Sequence, residues 1–267
     1  FNRDTTDRNR TSPFAFTGNK FEFRMLGSSN SIACANIMLN SAVAESLRIY
    51  ADRLEKADNF EKALHQMIRN TIKDHKKIIF NGNGYDDAWI KEAVEERGLL
   101  NYRTTPDCMP HLLDKKNEEM LIRHKVFSEA ELKSRCEIML DNYNKTVVIE
   151  ATTMVSMAKK EIVPSIEAYE KELADTAAVK KAVNPDISCG YETTLLKKLS
   201  ALGDRIFEKA EGLEQALLEI GKEEGVIEKG YMIRDEVLTK MSELRLVCDE
   251  AETLTAKSYW PYPTYGD

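Results

Sequence analysis

Three charged residues at alternate positions near the start of the chain have the types and spacing needed to handle a highly charged ligand. Lys20, Glu22 and Arg24 are separated by Phe21 and Phe23. In a β-strand, alternate side chains lie about 7 Å apart on one face, so a carboxylate would stand between two cations. Those cations would keep Glu22 ionised, and an ionised carboxylate suits Mg²⁺ or Mn²⁺. Arg24 could hold a carboxylate or phosphate bidentately.

A second basic segment lies upstream and contains Arg8 and Arg10. If it pairs with the strand across a turn, Arg10 and Arg24 would converge on one anion. The residues alone favour plainer alternatives, namely a solvated strand face and a charged surface loop. On composition, both the functional and the plain interpretations stay open.

Composition and charge exclude several classes of protein. The chain has 267 residues, 42% apolar and 31% charged, with a net charge of −7, which is ordinary for a soluble globular protein. No Lys/Arg-rich stripe interleaves with aromatics, so we expect no nucleic-acid partner. No apolar run approaches the roughly 18 residues of a membrane span, and no signal-peptide core is present, so we expect a cytoplasmic protein. The start at Phe1 suggests a segment of a longer polypeptide.

Cysteine and histidine give no sign of a metal centre. The five cysteines form no C-x-x-C pair, and their number is odd. We interpret them as reduced, mostly buried thiols. The four histidines form no H-E-x-x-H pair and show no zinc-ligand spacing.

The elements that must position these residues are short strands followed by long helices. Clean alternation predicts a half-buried strand over residues 20–25, and a shorter one is expected over residues 14–16. Helical periodicity then runs over residues 31–79, with a break at Asp58-Asn59. The run Asn81-Gly82-Asn83-Gly84 lacks the phosphate-loop pattern and is interpreted as a turn. A short helix capped by Asp86 or Asp87 should stop at Gly98.

The apolar periodicity in the second half of the chain predicts a helical bundle. Ser128 and Glu131 form a capping box that begins a long helix, which Pro164 should kink or end. More helix is expected to about residue 183, and two further helices follow, with Gly225 and Gly230 between them. Apolar steps of four and three favour three long helices in an up-down-up arrangement. The aromatic, proline-rich tail over residues 259–265 should dock on a surface.

Residues 7–24, with the sequence D-R-N-R-T-S-P-F-A-F-T-G-N-K-F-E-F-R, resemble the signature of type III glutamine synthetases. The stretch contains an N-R-S/T segment and an R/K-x-E-x-R strand. Residues 79–85 and 260–267 also look like type III chains, so the resemblance covers nearly the whole sequence. It implies the fold class α+β, mostly α. Short strands would come from the end of the catalytic β/α domain, over residues 1–127, and a long-helix extension would occupy residues 128–267.

The resemblance also implies an activity and residue roles. The family is an ATP-dependent glutamate–ammonia ligase that acts through γ-glutamyl phosphate, needs Mg²⁺ or Mn²⁺, and forms homo-oligomeric rings. By this likeness Glu22 is a metal ligand, Arg24 and Arg10 are catalytic anion binders, and Lys20 and Arg10 lie near the nucleotide phosphates. The sequence departs from the family at Ala15, where many members carry arginine.

Motifs for the other metal carboxylates and for most of the nucleotide pocket are missing from this sequence. We therefore expect the segment to contribute one wall of a site and to be inactive alone. The alternative to the ligase interpretation is a non-catalytic helical-bundle module for interaction or assembly. The three-helix pattern supports that alternative.

Overall fold

The computed structural model describes residues 14–16, 20–24, 27 and 30–264. Over these residues the chain is mostly helical with two short strands, which confirms the mostly-α, α+β fold class. The described residues divide into two compact units. The first unit contains the residues up to 103 together with 112–132, and the second contains 104–111 together with 133–264.

The elements follow one another in a simple order. In chain order they are β1 (Phe14–Phe16), β2 (Phe21–Phe23), α1 (Ala33–Leu54), α2 (Phe60–His75), α3 (Asp87–Lys91), α4 (Thr105–Cys108), α5 (Lys115–Arg123), α6 (Glu129–Met157), α7 (Val163–Val183), α8 (Gly190–Ile220), α9 (Val226–Met232) and α10 (Leu238–Leu254). Short 3₁₀ segments cover Lys76–Ile78 and Met109–Leu113. Wider π-helical turns cover Glu92–Glu96, Ala158–Ile162 and Ile233–Val237.

Helices α1 and α2 in the first unit are separated where the sequence predicted a break. Asn59 caps α2, because its side-chain oxygen accepts a hydrogen bond from the Lys62 backbone N–H at 3.0 Å. Asp86 caps α3 in the same way through the Ala88 N–H at 2.9 Å, and the chain turns at Gly98, whose φ is +61°. Pro106 lies in the first turn of α4, where a backbone N–H would have no helical partner and its absence costs little.

The first unit buries little of its apolar surface. Among its described residues, α1 buries only Ser41, and α2 buries none. Large apolar side chains stay exposed on both helices; they include Ile32, Val43, Leu47, Phe60, Ile68 and Ile72. The periodicity predicted the helices correctly, but the stripe on each helix lacks a full packing partner within the described residues of this unit.

The helix that the capping box begins does not end at Pro164. Ser128 and Glu131 form the two expected hydrogen bonds of a capping box. The Ser128 N–H donates to Glu131 Oε2 at 2.8 Å, and the Glu131 N–H donates to Ser128 Oγ at 3.3 Å. The chain then stays helical from Glu129 to Val183. A π-turn precedes the proline, and its Val163 N–H reaches back to the Ala158 carbonyl. Such a turn relieves the lost hydrogen bond and the steric clash of a proline ring, which explains the continuity.

The core of the second unit lies between three long helical segments, which are α6 with α7, α8 alone, and α9 with α10. Its fully buried members include Ile166, Leu199, Ile206, Leu213, Ile233, Val237 and Leu244. Helix α8 packs against both α7 and α10, as three long helices joined by short links require. Gly230 differs from the expectation. It lies inside α9 and is buried, so it does not form a link between helices.

The cysteines are free thiols, as predicted. Cys136, Cys189 and Cys248 are buried, whereas Cys34 and Cys108 are exposed. No helix in the described part of the chain combines the length and hydropathy of a membrane span.

Candidate functional site

The candidate site is built on a two-stranded antiparallel hairpin. Strands β1 and β2 pair in the register Phe14 with Phe23, Ala15 with Glu22, and Phe16 with Phe21. Both strands were expected from sequence, although β2 is shorter than residues 20–25. Ala15 therefore lies directly opposite Glu22. This is the position where the family resemblance led us to look for an arginine.

Glu22 and Arg24 form an ion pair on one face of β2. The Arg24 Nη2 donates to Glu22 Oε2 at 3.0 Å, and the side chains of Arg24 and Glu22 are 27% and 25% exposed respectively. Their spacing of two residues makes the contact possible, because alternate side chains share a strand face. A charge-assisted hydrogen bond of this kind fixes the orientation of the carboxylate. The structure thus brings together two of the predicted site residues.

Of the other two predicted site residues, Lys20 is among the described residues and Arg10 is not. Lys20 is exposed and lies just before β2. Arg10 lies outside the described residues, as do Arg8 and Met25. The expected convergence of Arg10 and Arg24 on one anion therefore stays a prediction.

The aromatic face of the hairpin is more exposed than the sequence pattern implied. The rings of Phe14 and Phe21 stack with centroids 5.2 Å apart, and Phe23 packs edge-on against Phe14 at 6.1 Å. Phe21 is 63% exposed and Phe23 is 44% exposed, whereas the charged face carries the half-buried pair. Aromatic pairs of this geometry stabilise a hairpin, but two strands alone cannot cover their own apolar face.

The hairpin fits a role as part of a metal site and does not form a whole one. Glu22 offers the hard oxygen ligand that Mg²⁺ or Mn²⁺ prefers. Among the described residues, however, no three His, Cys, Asp or Glu side chains cluster closely enough to hold a metal ion. Mg²⁺ is commonly bound by one or two carboxylates together with water and substrate phosphates. Glu22 therefore fits as a single ligand that other groups must complete.

The segment over residues 79–85 forms a structural turn, as predicted, and packs an aromatic stack in the first unit. Phe80 stacks on Trp89 with centroids 3.7 Å apart, and the Arg97 guanidinium lies 4.7 Å from the Trp89 ring. Arg97 also donates to the Ile79 carbonyl at 2.9 Å. A Cβ at Gly82 would lie 2.7 Å from Phe80 Cζ, so a larger residue there would require the Phe80 ring to shift.

A charged cluster around Glu45 was missed from the sequence. Glu45 accepts hydrogen bonds from Arg48 at 2.8 Å and Arg123 at 2.5 Å, and its other oxygen lies 2.8 Å from His124 Nε2. The Arg48 hydrogen bonds lower the pKa of Glu45 to about 2, with His124 and Arg123 adding to the effect. The spacing of Glu45 and Arg48 was a readable helical signal. Arg123 and His124 lie far from Glu45 in the sequence, so no local pattern could predict their contact with it.

The aromatic tail docks on the bundle of the second unit, as expected. Tyr259, Trp260 and Tyr262 pack against its core. The Tyr259 ring lies 5.2 Å from that of Tyr169, and the Tyr259 hydroxyl donates to Glu172. Proline at two positions keeps this segment from becoming helical, which leaves it free to follow the helix surface.

Comparison with known proteins agrees with the resemblance. A family model described as the glutamine synthetase C-terminal domain matches residues 63–181. A glutamine synthetase of Butyrivibrio fibrisolvens is 38% identical over 100% of this chain and 38% of its own length. A type-3 glutamine synthetase of Dictyostelium discoideum is 32% identical over 99% of this chain and 37% of its own length. A glutamine synthetase of Bacteroides fragilis (strain YCH46) is likewise 32% identical.

These matches define the class of protein that the chain resembles: over its whole length it is similar to glutamine synthetases. The matching family model is that of their C-terminal domain, and a type-3 member is among the relatives. The chain spans less than two-fifths of the length of these relatives.

Proposed function

We propose that this chain supplies one wall of the active site of an ATP-dependent glutamate–ammonia ligase. The observation that carries the proposal is the half-buried Glu22–Arg24 pair on β2, in a chain whose relatives are named glutamine synthetase. A carboxylate fixed by a guanidinium is suited to a site where metal, phosphate and a substrate carboxylate meet.

Each residue has a role in this proposal. Glu22 would hold Mg²⁺ or Mn²⁺ through its carboxylate, and a metal there would neutralise the phosphate charge of ATP. Arg24 and Arg10 hold the anionic groups of glutamate and the transferring phosphoryl group. Lys20 contributes positive charge beside the nucleotide phosphates. The side-chain carboxylate of glutamate takes the γ-phosphoryl group of ATP and ADP leaves; ammonia then displaces phosphate from γ-glutamyl phosphate and loses a proton, which gives glutamine.

The remaining walls of the site come from parts of the enzyme that this chain does not contain. The exposed aromatic face of the hairpin and the apolar stripes of α1 and α2 support this arrangement, because exposed apolar area of that extent marks contact with other protein. We assign residues 1–127 to the end of the catalytic domain. Residues 128–267 form a helical extension that serves structure and assembly of a cytoplasmic homo-oligomeric ring.

The test is the substitution Glu22→Gln in the full-length ligase that carries this segment. Glutamine formation from glutamate, ammonia and ATP would be measured across a range of Mg²⁺ concentrations. We expect kcat/KM to fall by about 100-fold or more, with a higher Mg²⁺ requirement, because one anionic ligand is lost. The matched control is Glu61→Gln, at an exposed residue in the first turn of α2, which should leave kcat/KM unchanged. Unchanged turnover in Glu22→Gln would contradict the metal assignment.

A further inference from the structure

The second unit contains a cavity of about 410 Å³ where the C-terminal tail crosses the bundle. Four elements contribute to its wall: the end of α6, the π-turn after it, α10, and the tail. The lining residues are Met154, Met157, Ala158, Ile162, Arg245, Cys248, Asp249, Glu252, Trp260, Tyr262, Pro263 and Thr264. The proposed function makes no use of this cavity.

The π-turn over Ala158–Ile162 and the docked tail build the cavity. A π-turn contains one more residue than an α-helical turn, and such turns occur frequently at functional sites; Ala158 and Ile162 of this turn line the cavity. Trp260 and Tyr262 close the opposite side, because prolines at 261 and 263 hold the tail extended. The helices and the tail therefore form a pocket that neither would form alone.

The size and the lining of the cavity select an aromatic ligand. A cavity of about 150 Å³ is enough for benzene, so 410 Å³ has room for two fused rings. Methionine, tryptophan and tyrosine predominate among the large lining residues. Thioether sulfur and aromatic rings both make favourable contacts with another aromatic ring.

The Tyr262 hydroxyl is buried at the cavity beside the Glu161 carboxylate. Burial raises the pKa of Tyr262 to about 12, and the interaction with Glu161 adds to the effect. Tyr262 therefore stays neutral at ordinary pH, and the charges at the cavity come from other side chains.

The charges around the cavity are mostly negative. Arg245 is held by Asp249, with its Nε at 2.9 Å and 3.2 Å from the two carboxylate oxygens. Glu252 also lines the cavity, and Glu161 lies beside Tyr262. The lining thus contains two carboxylates, those of Asp249 and Glu252, and one guanidinium, and this excess of negative charge disfavours an anionic ligand and favours a cationic one.

We propose that this cavity is a binding site for a small aromatic amine, a two-ring compound with a protonated amino group. The rings occupy the space between Met154, Met157 and Trp260. The amino group lies toward the carboxylates at the rim. The site is separate from the Glu22 hairpin in sequence and in unit, so it can be tested whether or not the chain has ligase activity.

The test uses isothermal titration calorimetry on the full-length protein that carries this segment, with three indole compounds that differ in one group. These are tryptamine, which carries an amine, indole-3-ethanol, which is neutral, and indole-3-acetate, which is anionic. In low-salt buffer we expect saturable one-site binding of tryptamine, weaker binding of the alcohol, and binding of the acetate that is weaker than tryptamine by about tenfold. Absence of saturable tryptamine binding, or equal affinity for the amine and the acetate, would overturn the proposal.

Variants locate the binding within the cavity. Met154→Trp fills the space and should weaken tryptamine binding by about tenfold or more. The matched control Met241→Trp makes the same change at a partly buried bundle residue that does not line the cavity, and should leave affinity within about twofold. If Met154→Trp fails to fold by circular dichroism, Trp260→Ala removes the tail wall and should give the same loss. Wild-type affinity in a folded variant of either kind would refute the location.

Discussion

Gly230 provides the sharpest test of how closely the second unit is packed. It lies inside helix α9, and glycine in a helix interior costs about 1 kcal/mol relative to alanine. Gly230→Ala would therefore stabilise the protein if space allowed. An added Cβ would lie 3.2 Å from Pro106 Cβ and 3.4 Å from Asn144 Oδ1, which is tighter than ordinary contact.

Neither neighbour can easily move away. Pro106 is fully buried in the first turn of α4. Asn144 is 3% exposed, and its Nδ2 donates to the Val226 carbonyl at 2.9 Å. Overpacking of this kind costs about 1–3 kcal/mol, which offsets or exceeds the helix-propensity gain of about 1 kcal/mol. We expect Gly230→Ala to lower the free energy of unfolding by about 0–2 kcal/mol.

Gly203→Ala is the matched control, because Gly203 lies inside α8 of the same unit and an added Cβ there meets nothing within 4 Å. It should raise the free energy of unfolding by about 1 kcal/mol, or the melting temperature by about 2–4 °C. The assay is urea unfolding, monitored by far-UV circular dichroism. The two variants can be compared only if the free energy of unfolding depends on urea concentration with the same slope in both. The packing argument fails if Gly230→Ala stabilises the chain as much as Gly203→Ala does.

Two further predictions concern ionisable groups. The folded-state pKa of Glu45 lies near 2, below its ordinary value of 4.5, so its contribution to stability is present above pH 4.5 and is lost as the pH falls toward 2. Glu45→Gln should therefore flatten the stability profile in that acid window, as measured by thermal melts at each pH, and an unchanged profile would refute the role of the cluster. Burial raises the pKa of Cys248 to about 11 from 9.0, so its thiolate fraction at pH 8 falls by about 100-fold. In iodoacetamide labelling read by mass spectrometry, exposed Cys34 should react well before Cys248, and equal rates would show that the bundle opens around Cys248.

Local signals in the sequence were sufficient for most of the secondary structure. The Asn59 and Asp86 caps, the Ser128–Glu131 box and the turn at Gly98 all depend on residues within a few positions of one another. Short-range side-chain chemistry of this kind is encoded in the spacing itself. The apolar steps of four and three likewise fall on large side chains that α8 buries, among them Leu199, Leu202, Ile206 and Leu213.

Two expectations at single residues needed the structure to decide them. Of the kink or end that Pro164 predicts, the end is wrong, because the chain stays helical through a π-turn before the proline. Gly230 alone suggests a link between helices, but it lies inside α9, where the close approach of Pro106 favours a residue without a side chain. The alternation in β2 predicted which side chains share a face, but it could not tell which face would be covered.

The sequence by itself determined the helices, the strand that presents Glu22 and Arg24 together, and the likeness to glutamine synthetases. Each of these depends on local periodicity or on matched residue types, which a linear chain carries in full. Only the tertiary structure decided that Glu45 contacts two partners at the end of α5 and that the tail lines a cavity beside a π-turn. Those features join residues far apart in the chain, and their energies depend on distances that exist only after packing.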